Sequence, residues 1–81
     1  MNYALVIFPS AQRELGAVPA EVSHRLRGAI VELAQEPRPS GCRKLTGREG
    51  WRLRVGDYRV LYDIDDNRKA VTIGHRRDMY R

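Results

Sequence analysis

Arginine side chains recur at alternate positions in the second half of this sequence, in a pattern that could bind phosphate. Arg52 and Arg54 alternate with apolar residues in the segment 51–55, and Arg59 lies in the apolar segment 58–64. Guanidinium groups bind phosphate oxygens through two parallel N–H donors, and they stay protonated in proteins. The pattern therefore predicts a phosphate-binding surface, provided that the three side chains share one side of a sheet.

A β-hairpin is the element that would place them together. Only Gly56 and Asp57 separate the two segments, and glycine at the first of two central positions suits a type II′ turn. A two-residue loop fixes the register, so that Arg54 faces Arg59 across the strands. The alternate side chains take the other side, where we predict core packing rather than base stacking. They are Trp51, Leu53, Val55, Tyr58, Val60 and Tyr62.

Opposed arginines do not help such a hairpin to fold. Like charges directly opposite each other in a sheet are destabilising, where cross-strand pairs are worth about 0.2 to 1 kcal/mol. One alternative is a solvated sheet surface with water-screened arginines. The other is a site for a polyanion, which the run of three cations without an alternating carboxylate favours.

The remaining elements build an α+β domain. We predict an N-terminal strand over 3–8, a helix over 11–17 capped by Ser10, and a second helix beginning after Pro19. A further strand over 70–75 completes a three-stranded antiparallel meander, so that one small, mainly antiparallel sheet carries a two-helix hairpin on one side. Alternation along this last strand places Arg76 with the other arginines and His75 toward the core.

Composition limits the class of protein. The 81 residues form one domain, 1–81, with a single cysteine, so neither an internal disulfide nor a cysteine-based metal cluster is possible. The longest apolar run has six residues, which excludes a membrane span and favours a cytoplasmic location. Residues 1–40 are neutral overall, and all five net positive charges lie in residues 41–81, which favours a nucleic-acid partner.

Four consecutive segments of the second half resemble the RelE/ParE superfamily of type II toxin–antitoxin toxins, and within it the RelE-like mRNA interferases. The segments are Lys44-Leu45-Thr46-Gly47, Trp51-Arg52-Leu53-Arg54, Gly56-Asp57-Tyr58-Arg59-Val60-Leu61-Tyr62 and Gly74-His75-Arg76-Arg77-Asp78-Met79-Tyr80. They follow in the family's order, and the resemblance covers nearly the whole chain.

The resemblance implies a ribosome-dependent endoribonuclease that cleaves mRNA in the A site without a metal or another cofactor. In that reaction the 2′-hydroxyl of the message attacks the adjacent phosphate. The implied catalytic residues are Arg52, Arg54, Arg59, Arg76 and Tyr80, with His75 as a candidate acid or base. For RNA binding the implied residues are Arg43, Lys44 and Arg77. The first two are expected in a loop, where plain solvation is the alternative.

The sequence departs from the family in one respect that concerns catalysis. Several relatives carry lysine at the positions of Arg52 and Arg54, and a desolvated lysine can act as a base whereas arginine cannot. The base must then be another group, such as His75, or the activated 2′-hydroxyl of the substrate. His75 could equally be a structural residue, and Tyr80 could either act at the scissile nucleotide or anchor the end of the chain.

Two further functions remain open. A ParE-like toxin that inhibits DNA gyrase would share the fold and the basic surface without a general base, and a noncatalytic nucleic-acid-binding module would need only the charge. In both toxin readings the expected partner is a cognate antitoxin protein, and the mRNA-cleaving toxin also binds the ribosome and mRNA. Because the sequence ends one residue after Tyr80, we expect inhibition in trans.

Overall fold

The computed structural model describes residues 2–47 and 49–74 of the chain. These residues form two helices and five strands in the order β-α-α-β-β-β-β. The elements are β1 (Ala4–Ile7), α1 (Pro9–Ala17), α2 (Ala20–Leu33), β2 (Cys42–Lys44), β3 (Trp51–Val55), β4 (Tyr58–Asp65) and β5 (Ala70–Ile73). The fold is therefore α+β, as predicted. No helix in the described part of the chain is long and apolar enough to cross a membrane.

The five strands form one sheet in the order β1-β5-β4-β3-β2, in which only the β1–β5 pair is parallel. The predicted hairpin register is confirmed at all five positions, including Arg54 opposite Arg59. Gly56 has a φ of +62°, and Asp57 is not among the described residues with positive φ. A type II′ turn needs positive φ at its first central residue alone, so the predicted turn type is consistent with this geometry.

Both helices cover one face of the sheet. Leu26, Ile30 and Leu33 of α2 are buried at the spacing of an amphipathic helix, while His24 is exposed. Ala11 and Leu15 of α1 complete the helical side of the core. The sheet contributes alternate residues to the same core, namely Val60, Tyr62, Val71 and Ile73. Neither helix of the described chain lies over the opposite face of the sheet, so the exposed side chains of the described strands there can contact a partner.

Three details differ from the sequence-based predictions. The segment Cys42–Lys44 is an edge strand paired with β3 rather than a loop, because its three residues continue the alternation of the sheet. Helix α1 begins at Pro9 with Phe8 as the N-cap residue, so Ser10 is not the cap. Proline has a preset φ and needs no amide partner in the first turn, which lets the helix start earlier. Strand β5 ends at Ile73.

Candidate phosphate-binding site

Four arginines lie together on the helix-free side of the sheet, and we call this set (Arg43, Arg52, Arg54 and Arg59) the arginine face. Arg54 is directly opposite Arg59 across β3 and β4, and Arg52 is directly opposite Arg43 across β3 and β2. All four side chains are exposed. The prediction that Arg52, Arg54 and Arg59 share one side is confirmed. The structure adds Arg43, which sequence reasoning had placed in a loop, because β2 extends the ladder by one strand.

The arginine face borders an open groove of about 690 Å³. Its walls include the backbone of Gly56 and the short segment Ser40–Gly41, and the only carboxylate that lines it in the described chain is Asp57. Among the described residues, none of the four arginines forms a salt bridge. Unpaired cations that converge on a groove of this size attract an anion that presents several oxygens.

One arginine of the face is held in place by its own turn. The Nε of Arg54 donates a hydrogen bond to the carbonyl oxygen of Gly56 at 3.1 Å. This contact uses one of the five N–H donors of the guanidinium group and fixes its direction, while the remaining donors stay available. A preorganised cation loses less conformational entropy when it binds phosphate than a freely rotating one.

Lys44 is not part of this surface. It lies opposite Trp51, and its ammonium group is 5.4 Å from the centre of the Trp51 ring on the other side of the sheet. Its RNA-binding role stays a prediction, and Lys44 would have to bind RNA away from the arginine face. A cation–π contact with a half-buried ring gives Lys44 a structural role that needs no ligand.

The three aromatic residues predicted as core packing differ in burial. Tyr62 is fully buried, its hydroxyl donates a hydrogen bond to the carbonyl oxygen of Pro37 at 2.8 Å, and burial raises its pKa well above the usual range. Trp51 is half-buried against the core. Tyr58, by contrast, is 40% exposed at the end of the hairpin, where it borders the groove. Tyr58 therefore departs from the predicted core role.

Four predicted site residues lie outside the described residues: His75, Arg76, Arg77 and Tyr80. Strand β5 leads directly to them, and the amide of Gly74 still donates to the carbonyl oxygen of Leu61 at 2.7 Å. Their predicted roles remain predictions. In the described ranges, no group of three or more metal-ligating side chains comes together.

The helix-free face changes charge along the sheet. Asp63 and Asp65 follow Arg59 at alternate positions of β4, so they lie on the same face as the arginines. With Glu49 and Asp66 they border a separate, acidic hollow. A polyanion on this face is therefore attracted to the end formed by β2, β3 and the hairpin turn, and repelled from the acidic hollow.

Comparison with known proteins shows which family of proteins this chain resembles. Residues 5–80 match the family model described as the ParE toxin of the type II toxin–antitoxin system parDE. Toxin RelG of Mycobacterium tuberculosis is 36% identical over 92 aligned positions, which cover the whole of this chain and 99% of that protein.

Solved structures give the same result. A chain of the toxin–antitoxin complex RelBE2 from Mycobacterium tuberculosis superposes with a TM-score of 0.77 at 30% identity, over 90% of this chain and 93% of that one. A chain of the archaeal RelE–RelB complex from Pyrococcus horikoshii superposes with a TM-score of 0.79 at 29% identity, over 90% of each chain. The fold is that of a small toxin from a type II toxin–antitoxin system. The chain belongs to the ParE toxin family, within the RelE/ParE superfamily.

Proposed function

We propose that this toxin is a ribosome-dependent endoribonuclease that cleaves mRNA in the A site, and that a cognate antitoxin holds it inactive. The observation that supports this proposal is the arginine face, where two pairs of arginines face each other directly and no described carboxylate pairs with them. Each pair costs folding stability in the absence of a ligand. A phosphate group between the guanidinium groups would offset that repulsion.

The chemistry of RNA cleavage suits such a surface. When the 2′-hydroxyl attacks the adjacent phosphorus, negative charge develops on the nonbridging oxygens, and the bond to the 5′ oxygen of the next nucleotide breaks. The products are a cyclic phosphate and a free 5′-hydroxyl. Fixed guanidinium donors stabilise this charge, in the same way as an oxyanion hole stabilises a tetrahedral intermediate. Arg52, Arg54 and Arg59 are assigned this role.

The proton must move through other groups. Arginine does not release its proton near neutral pH, and Lys44 points away from the face. We assign acid or base catalysis to His75, because histidine is the side-chain type that titrates nearest to neutral pH, and proton donation or stacking to Tyr80. Arg76 is assigned to the scissile phosphate, and Arg43 and Arg77 to neighbouring phosphates.

Known relatives also indicate a protein partner for the arginine face. The complexes named RelBE2 and RelE–RelB pair a toxin with an antitoxin. An antitoxin for this chain would need to cover the arginine face, and an acidic segment would do so. The apolar groove of about 460 Å³ between the helices and the sheet, lined by residues such as Leu15, Val18 and Leu26, offers a second contact.

The test is cleavage of mRNA on programmed ribosomes, with 5′ ends mapped by primer extension. We expect cleavage by the wild-type protein and its loss in the double variant Arg54→Ala/Arg59→Ala. The double variant Arg13→Ala/Arg27→Ala removes the same charge from exposed positions of the two helices and should cleave normally. Equal activity of the two double variants would contradict the assigned site.

DNA gyrase inhibition is the second candidate, favoured by the ParE family match and by the absence of a lysine on the arginine face of the described chain. Covalent gyrase–DNA complexes in the presence of the toxin, together with intact mRNA on programmed ribosomes, would establish this function instead. The same preparation serves both assays.

A further inference from the structure

Arg25 of helix α2 reaches the hairpin turn from the other side of the sheet. Its Nη2 atom lies 2.8 Å from the point where a Cβ atom on Gly56 would be, and its Cζ and Nη1 atoms lie 3.7 and 3.9 Å from the same point. The whole guanidinium group therefore lies against the backbone of Gly56. A Cβ atom at position 56 would have to displace the flexible end of Arg25, and a residue other than glycine would also strain a turn whose φ is +62°.

The position of the Arg25 guanidinium group is electrostatically unfavourable when no anion is bound beside it. Arg54 contacts the same glycine through its hydrogen bond to the carbonyl oxygen. Two guanidinium groups that both lie against one residue are like charges at short range, so they repel each other. No hydrogen bond or salt bridge joins Arg25 to another described residue, and the exposed Glu21, one helical turn earlier, does not pair with it.

Packing alone does not account for an arginine here. A neutral side chain of similar length would cover the glycine equally well and would avoid the repulsion from Arg54. Gly56, which Arg25 lies against, also lines the groove of the arginine face.

We propose that Arg25 is a phosphate-binding residue that extends the arginine face around the hairpin turn onto helix α2. It binds a backbone phosphate of the RNA other than the one that is cleaved. The RNA strand then crosses the turn rather than ending at it, and glycine at position 56 allows both the turn and the close approach of Arg25. This inference depends on the proposed function for the identity of the ligand as RNA.

The test is the salt dependence of binding to a single-stranded RNA oligonucleotide longer than the groove. Each phosphate contact contributes about 0.7 to the slope of log affinity against log salt concentration for single strands. We expect Arg25→Met to lower the slope by about 0.7, and Arg25→Lys to keep it near the wild-type value. Arg27→Met is the matched control, since Arg27 is exposed on the same helix and bonded to Ser23 at 3.1 Å.

The melting temperature distinguishes a variant that has lost RNA binding from one that has lost folding stability. Methionine keeps the length that covers Gly56, so Arg25→Met should melt close to the wild-type temperature. An unchanged slope in Arg25→Met would overturn the inference, and so would an equal loss in Arg27→Met. A protein that does not bind RNA at all would overturn both proposals, whereas one that binds RNA in this way but leaves mRNA on the ribosome intact would overturn only the proposed function.

Discussion

Arginine rather than lysine at positions 52 and 54 decides what the described part of the site can do. A guanidinium group forks onto phosphate and never titrates near neutrality, so these residues can stabilise charge but cannot move a proton. The bond from Arg54 to the turn carbonyl, at 3.1 Å, further limits that side chain to a fixed direction. In the proposed reaction, the described arginines would therefore supply electrostatic stabilisation, and proton transfer would be left to the residues after β5 or to the RNA itself.

Arg76 is the residue whose loss should separate chemistry from folding. The alternation of β5, in which Thr72 faces outward opposite Asp63, predicts that Arg76 joins the arginine face. We expect Arg76→Ala to reduce single-turnover cleavage of mRNA on ribosomes by about 100- to 1,000-fold, as the loss of one oxyanion-stabilising donor does in other enzymes. The measurement is the cleavage rate, beside a melting curve for each protein.

Arg68→Ala is the control for this experiment, because Arg68 is a highly exposed arginine whose one bonding partner among the described residues is Asp65, at the end of β4. It should cleave at the wild-type rate. A folded and fully active Arg76→Ala protein would show that the phosphate is stabilised elsewhere.

At the scale of elements, one cluster of side chains ties together the segments that flank the sheet. Arg38, in the segment between α2 and β2, binds Asp66 of the β4–β5 turn at 2.9 Å and lies 5.2 Å from the centre of the Trp51 ring. Asp66 also accepts a hydrogen bond from the Tyr3 hydroxyl at 2.7 Å. The cluster therefore connects the start of β1, the entry to β2 and the last turn of the sheet, which keeps the edge strand carrying Arg43 in register.

The cluster should make stability depend on pH in acid. The Arg38 guanidinium, helped by the Tyr3 hydroxyl, holds the pKa of Asp66 below its ordinary value of 3.8. A depressed carboxyl pKa stabilises the fold above the unfolded value, and this contribution is lost as the pH falls through the folded value. We expect Asp66→Asn to melt at a lower temperature than the wild type at pH 7. The difference should shrink as the pH falls below 3.8 and disappear below the lower pKa that Asp66 has in the folded state.

Glu49→Gln removes the same charge from an exposed residue near the same hollow and should leave the melting temperature nearly unchanged. Because Arg38 and Asp66 are both about half exposed, salt should also weaken the effect of Asp66→Asn. A difference in melting temperature that is equally large in acid would contradict this account of the cluster.

For the whole molecule, the important feature is a small core with one uncovered and charged face. Among the described residues, the buried apolar core consists of nine side chains, all on the helix side of the sheet, and the four arginines lie on the other side. A domain of this size buries only about 60% of its unfolded surface and is marginally stable. A partner that covers the charged face should stabilise the fold and block access to it at the same time.

An antitoxin should therefore raise the melting temperature of this toxin and abolish its activity together. A ligand that binds only the folded state at 100 times its dissociation constant stabilises it by about 2.7 kcal/mol. The measurement is a titration of purified toxin with its antitoxin, followed by thermal melting and by mRNA cleavage. Binding that changes neither the melting temperature nor the toxicity would contradict the proposed partner.

The sequence by itself determined the hairpin, its register and the side of the sheet on which Arg52, Arg54 and Arg59 lie. These follow from local rules, because a two-residue turn fixes which residues face each other and alternation fixes their side. The fold class and the superfamily could likewise be read from the order of elements and from four consecutive motifs.

Only the tertiary structure decided which other residues join Arg52, Arg54 and Arg59. Cys42–Lys44 is too short for alternation to distinguish it from a loop, and pairing with β3 is what places Arg43 on the arginine face and Lys44 against Trp51. Arg25 is 31 positions away from Gly56 in a neutral half of the chain, so nothing local links the two. Their contact depends on how helix α2 packs across the sheet, which is a property of the whole core.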